Sequence, residues 1–202
     1  VSGIKLFRIA TWVAVAVLGG ILLASSGWLP GTRPTPESVA TGTARVGGPF
    51  TLTSHKGDAV DNAKLAGKPY LVFFGFTHCP DICPTTLYEL TNLMADLGPA
   101  ADRLTPLFIT VDPERDTQTV LAEYMTAFDG RILALRGDKA ATDAAVKAFA
   151  AYYRKVPTDG GYTMDHTAGV ILIDEEGRFA GTLDLHEPRE NVLAKLRRLT
   201  AA

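Results

Sequence analysis

At 202 residues the chain holds one domain of ordinary size with additions, and two domains would be crowded. Twenty Lys and Arg against 22 Asp and Glu leave a net charge of −2 with no basic block, which excludes nucleic acid and a polybasic membrane patch as binding modes. The two cysteines, Cys79 and Cys83, fall in one short stretch, which excludes a dispersed disulfide framework and points to a single site.

In chain order, residues 9–29 carry no charge, and at ~1.5 Å per residue such a run crosses a ~30 Å hydrocarbon layer as a helix. Lys5 and Arg8 precede it, so residues 1–8 are expected in the cytoplasm and everything after Trp28 on the far side, with Trp12 and Trp28 near the two interfaces. The competing reading is a signal peptide cut near Ala24-Ser25-Ser26, although the run exceeds the ~7–15 residues of a usual signal core. Residues 30–47 are rich in Pro, Gly, Thr and Ser without apolar periodicity and read as a linker, so the exported domain covers 48–202.

Within that domain, residues 50–53 and Val60 flank a polar turn at Lys56-Gly57-Asp58, which predicts a short hairpin. Residues 70–76 are continuously apolar and aromatic, as in a strand covered on both faces. A helix follows over 84–97, with Leu87, Leu90, Leu93, Met94 and Leu97 at helical spacing, and then a second buried strand over 104–111. Strand, helix and strand make a parallel crossover unit. A helix over 117–128, a short strand over 132–135 and a helix over 142–152 continue the alternation. Strands over 170–173 and 178–183 form a hairpin around residues 174–177, and a basic amphipathic helix over 188–199 closes the chain. The sum is an α/β protein, a mixed sheet flanked by helices and preceded by a transmembrane helix.

The informative stretch is FTHCPDICP, residues 76–84, at the junction of the first long strand and its helix. Cys79 and Cys83 are four apart, so on helical backbone both sulfurs meet one metal ion or close a disulfide. Pro80 suits a first helical turn. Helix N-termini favour thiolate over thiol, which promotes metal binding and redox exchange alike. The bland reading is a stabilising disulfide, but closing so short a loop is worth only about 2 kcal/mol.

Two sulfurs leave a metal site incomplete, and four histidines are available as a third ligand. His55 and His186 adjoin hairpin turns and read as surface residues. His78 neighbours Cys79 and either joins the site or orients its loop. His166 is favoured by topology. Cys79 and Asp112 follow the C-terminal ends of parallel strands, where α/β proteins place their sites. If the strand after His166 runs antiparallel to them, His166 starts on that same edge. A hydrogen bond to Asp165 or to backbone is the alternative use of this ring. Two sulfurs and an imidazole suit copper in either oxidation state and also zinc.

With FITVDPERDT at 108–117 and YTMDHT at 162–167 added to FTHCPDICP, the chain resembles the Sco/SenC family of copper proteins, over about residues 48–199. The resemblance implies a thioredoxin-like fold and a copper ion, Cu(I) or Cu(II), held by Cys79, Cys83 and His166, the two cysteines forming a disulfide when oxidised. It implies a metallochaperone serving the dinuclear CuA site of cytochrome c oxidase subunit II. A periplasmic copper donor would load it, and the chain would be a single-pass protein of a bacterial-type inner membrane. Asp112 and Asp165 match motif acids, with hydrogen bonding around the metal or partner recognition as their implied work. Residue 169, before the last hairpin, is Gly where thioredoxins place proline, which separates the chain from general disulfide oxidoreductases. The competing enzyme reading is a thiol–disulfide reductase of the CuA-site cysteines, with Cys79 attacking and Cys83 resolving. A copper-responsive redox sensor is the third reading.

Overall fold

A computed structural model describes residues 2–25 and 46–201, which fall into two units divided between Thr43 and Ala44. The first unit contains helix α1 (Ser2–Ser25), of which Gly3–Leu22 is long and apolar enough to cross a membrane. This stretch begins six residues ahead of the expected one and takes in Lys5 and Arg8. The last residues of the expected anchor, Trp28 among them, and most of the expected linker lie outside the described residues.

The second unit opens with strands β1 (Thr51–Ser54) and β2 (Ala59–Asp61) and the single turn α2 (Asn62–Leu65). The predicted short hairpin is present, with Leu52 opposite Val60. Strand β3 (Tyr70–Gly75) is buried at every position. It lies parallel to β4 (Thr105–Thr110) on one side and antiparallel to β8 (Val170–Ile173) on the other, an interior strand of a sheet covered on both faces, which is why its side chains are apolar throughout.

Between β3 and β4 runs α3 (Ile82–Leu97), whose buried stripe of Leu87, Leu90, Leu93, Met94 and Leu97 begins at Cys83. Each such apolar side chain contributes about 1.5–3 kcal/mol on burial. The helix ends at Gly98, whose φ of +57° suits a residue without a Cβ, and a 3-10 segment (Gly98–Arg103) leads on to β4. The helix starts two residues before the predicted position. Pro84 therefore occupies its first turn, where no N–H is missed, and Pro80 lies in the bend ahead of it.

Helix α4 (Gln118–Tyr124) is capped by Thr117, whose Oγ1 accepts from the Val120 N–H, and continues as a 3-10 turn (Met125–Ala127). Strand β5 (Leu133–Arg136) joins β4 in parallel and meets β1 antiparallel. Helix α5 (Lys139–Ala148) is capped by Asp138 and so starts earlier than the apolar pattern predicts, and it also stops sooner, just ahead of Ala150 at a φ of +51°.

A two-stranded sheet of β6 (Tyr153–Thr158) and β7 (Gly161–His166) follows, an element the sequence reading lacked. Strand β9 (Phe179–Leu183) pairs with β8, and α6 (Arg189–Thr200) closes the chain against α3. The main sheet has the order β2-β1-β5-β4-β3-β8-β9, a mixed seven-stranded sheet flanked by helices.

Candidate metal centre

Strand β3 ends at Gly75, and the chain bends through residues 76–81 before α3 begins. Cys83 is the first member of the buried stripe of α3, so the packing that seats the helix also sinks its sulfur, and the residue is 0% exposed. Cys79, half-buried, lies on the bend, and its Sγ accepts the Cys83 N–H at 3.4 Å. One of the free N–H groups at the start of α3 is thereby turned onto sulfur. Both cysteines are free thiols.

Gly75 has a specific reason to be glycine. A Cβ there would stand 2.9 Å from Cys83 Sγ and 2.6 Å from the Phe108 ring, so the sulfur occupies space that any side chain would take.

His166 ends β7, and Cys83 Sγ is 3.6 Å from its Nε2. Nδ1 lies 3.0 Å from the Thr167 carbonyl oxygen, which only accepts, so Nδ1 carries the proton and Nε2 presents its lone pair to the sulfurs. Phe76 and Phe73 meet the ring nearly edge to face, at centroid distances of 5.8 and 6.3 Å. The antiparallel course of β8 against β3 brings this end of β7 to the edge where Cys79 emerges, as the topology predicted.

Cys79, Cys83 and His166 offer ligand atoms that all lie within 4.8 Å of one another, and they form the one such group among the described residues. Two sulfurs and one imidazole nitrogen with no carboxylate are a soft donor set, suited to copper or zinc and unsuited to magnesium or calcium. Burial pushes the Cys83 thiol well above its ordinary range, and the neighbouring Cys79 sulfur and the Asp116 carboxylate push the same way. A metal ion binding here displaces that proton.

The other histidines lie apart from the group. His78 is exposed and turned from the sulfurs, with Nδ1 3.1 Å from Thr77 Oγ1 and 3.9 Å from Asp116. His186 is exposed beside Asp184. His55 departs from its expected surface role: it is half-buried, and its Nδ1 accepts the Ala134 N–H at 3.1 Å, tying the turn after β1 to β5.

Asp112 is buried, accepts hydrogen bonds from the Tyr162 hydroxyl at 2.9 Å and from Arg115 Nε, and does not touch the sulfurs directly. Arg115 also donates to the Tyr162 carbonyl at 2.9 Å and stacks its guanidinium 3.8 Å from the Tyr162 ring centre. Asp165 is exposed and paired with Arg154 at 3.1 Å. Successive residues of a strand face opposite ways, so Asp165 points out where Tyr162, Met164 and His166 point in.

Asp116, which the sequence reading did not single out, is 0% exposed and holds the bend that carries Cys79. It accepts from the Thr77 N–H at 3.1 Å, the Thr77 hydroxyl at 2.6 Å and the Thr110 hydroxyl at 2.5 Å. The loop between β4 and α4 thus grips both ligand-bearing segments, the cysteine bend through Asp116 and the histidine hairpin through Asp112 and Arg115. Its signal in the sequence was a run of acids, Asp112, Glu114 and Asp116, on a loop following a buried strand.

A mixed sheet with a cysteine pair where the strand gives way to helix, and a histidine returned to the same edge, defines a thioredoxin-like domain with a Cys2His site. The SCO1/SenC family model matches residues 38–201, and the chain belongs to that family. An SCO2-like protein of Rickettsia prowazekii is 39% identical over 138 residues, covering 67% of each chain. The mitochondrial SCO1 homologue of mouse is 36% identical over 180 residues, 84% of this chain, which spans 63% of the mouse protein's length. Among solved structures, copper-bound ScoI of Bradyrhizobium japonicum is 45% identical, with a TM-score of 0.72 over 76% of this chain and 99% of that one.

Proposed function

We propose that the chain is a copper metallochaperone that binds one ion through Cys79, Cys83 and His166 and delivers it to the CuA site of cytochrome c oxidase subunit II. The observation that carries this reading is the convergence of two sulfurs and an imidazole nitrogen within 4.8 Å, with the imidazole tautomer already set for binding. Copper is here the cargo. Cys83 is enclosed by the packing that seats α3, while Cys79, on the bend and half-buried, is the ligand an incoming thiolate reaches first. The copper bound by the Bradyrhizobium relative and the Sco/SenC motifs support copper over zinc.

In the same reading α1 anchors the chain in a bacterial-type inner membrane. Residues 1–8 lie in the cytoplasm, residues 30–47 serve as a tether, and the domain from residue 48 on stands in the periplasm, where a copper donor loads it. The positive charges of Lys5 and Arg8 ahead of the uncharged run support that orientation.

A second reading is favoured by the unequal exposure of the two sulfurs, Cys79 accessible and Cys83 enclosed. That asymmetry suits a thiol–disulfide reductase acting on the CuA-site cysteines. The Cys79 thiolate attacks a target disulfide, and Cys83 then attacks Cys79 sulfur, releasing the target dithiol and leaving a Cys79–Cys83 disulfide. His166→Ala in the full chain separates the two readings, because it removes a metal ligand and leaves both thiols. Failure of the variant to mature the oxidase in cells is the expected result; normal oxidase with an intact dithiol would assign the chain to reduction.

A further inference from the structure

Beside the metal centre a groove of about 700 Å³ runs between α3 and the segments flanking β8 and β9. One wall is the outward face of the first two turns of α3, and the other includes Ala168 and Gly169, two and three residues beyond His166. The groove is thus walled by the chain neighbours of the ligands, Ile82 next to Cys83 and Ala168 two residues beyond His166, while the three ligands themselves lie outside its lining. Its apolar lining includes Ile82, Val170 and Leu185, and Ile82 is 50% exposed although it immediately precedes the buried Cys83. Ile82 and Leu185 thus add apolar surface to a groove whose lining also takes in the buried Val170 and Leu183.

The charges along the groove are of one sign. Asp81, Glu89 and Asp184 line it, no Lys or Arg does, and its one other titratable group is His186 beside Asp184. Arg189 reaches Glu89 from α6 at 3.3 Å, while Asp81 has no ion-pair partner among the described residues. An apolar floor under an acidic rim is complementary to a segment that carries an apolar side chain next to a cation.

We propose that this groove receives an extended segment of the protein that exchanges copper with the Cys79–Cys83–His166 site, a segment bearing an apolar anchor and at least one Lys or Arg. The proposal rests on the chaperone reading above and adds where the acceptor sits. Docking along α3 brings the acceptor's ligands up to Cys79, the accessible sulfur, and leaves the Asp112–Tyr162 side of the centre untouched.

The test uses the full chain in detergent, loaded with copper, and the soluble copper-free CuA domain of oxidase subunit II as acceptor, with Ile82→Lys and Asp184→Lys as independent variants. Both are expected to keep the copper stoichiometry and sulfur-to-copper absorption of the wild type and to release copper to a small chelator at an unchanged rate. Each is expected to slow transfer to the acceptor by about tenfold, and the wild-type rate is expected to fall as salt rises. If the wild type transfers copper and both variants keep pace, the groove assignment is wrong and the chaperone reading stands. If the wild type neither docks nor transfers, the chaperone reading falls and takes the groove assignment with it. Concentration-dependent dimerisation of the wild type that both variants abolish would give the groove to a second copy of the chain and overturn the proposal.

Discussion

Cys83 hangs from the first turn of a helix whose apolar stripe is sunk against the central strands, whereas His166 ends a two-stranded hairpin that shares no ladder with the main sheet. The cysteine side is held by burial. Its position is set by the same contacts that hold the core together, and it shifts only if α3 does. The histidine side is held by a few polar contacts, chiefly Tyr162 with Asp112 and Arg115, and by edge contacts of its ring with Phe73 and Phe76. With Cys83 fixed by core packing and the histidine hairpin tied by a few hydrogen bonds, any adjustment on loading is expected first in the hairpin.

Substitutions that strike the two halves differently sharpen this contrast. The largest loss is expected from Asp116→Ala, which leaves the Thr110 hydroxyl and the Thr77 N–H without their acceptor at a buried position, at a cost of about 2–4 kcal/mol. Urea unfolding of the copper-free chain measures it, and a change below about 1 kcal/mol would show that Asp116 does not hold the cysteine bend.

Gly75→Ala is expected to cost about 1–3 kcal/mol through the overlap with Phe108 and Cys83 Sγ. It should also alter the sulfur-to-copper absorption band, which a purely structural defect elsewhere would leave alone. An unchanged band at full copper occupancy would mean the sulfur has room to spare.

Tyr162→Phe removes the hydrogen bond to Asp112 and keeps the ring under Arg115. Copper affinity is expected to fall about tenfold, at the mild end of outer-ligand effects. Hydrogen exchange should quicken in β6 and β7 while the amides of β3 keep their protection. Equal quickening in both regions would erase the distinction between the halves.

The smallest effect belongs to His55, away from either half. Burial lowers its pKa, and its Nδ1 can accept the Ala134 N–H only while unprotonated. The unfolded chain therefore takes up the proton more readily, so the stabilisation is present above the ordinary imidazole range and is lost as pH falls through the lowered folded value. His55→Asn should flatten that acid limb of a stability-versus-pH curve and leave copper binding unchanged; a limb of the same slope would place the sensitivity elsewhere.

The rigid half was the legible half. Continuous apolar character marked residues 70–76 as a central strand, and leucine spacing marked the stripe of α3 from Leu87 to Leu97, although the helix begins two residues earlier and takes Cys83 into that stripe. The hairpin escaped because its pattern is weak: β6 is mostly exposed, contains Pro157, and pairs with nothing but β7. Its one clear mark was Asp159-Gly160 between two runs of strand-forming residues, a strong hairpin turn in its own right. The edge on which His166 lies followed correctly from the direction of β8, although a hairpin brings it there and no simple loop does. Asp116 was hard to single out for another reason. A buried carboxylate satisfied by hydroxyls of Thr77 and Thr110 has no periodicity to betray it, since its partners come from two other loops and strands.

The central claim is that two sulfurs and one imidazole act together on a single copper ion, and the most direct measurement is a copper titration of the reduced full chain in detergent. Stoichiometry and sulfur-to-copper charge-transfer absorption are read for the wild type, Cys79→Ser, Cys83→Ser and His166→Ala. The wild type is expected to bind one ion tightly, with each variant weaker by more than about 100-fold, beyond the range of outer-ligand effects. Tight binding that survives His166→Ala, or a wild type that binds copper only weakly, would contradict a Cys2His centre and leave a dithiol with a histidine for a neighbour.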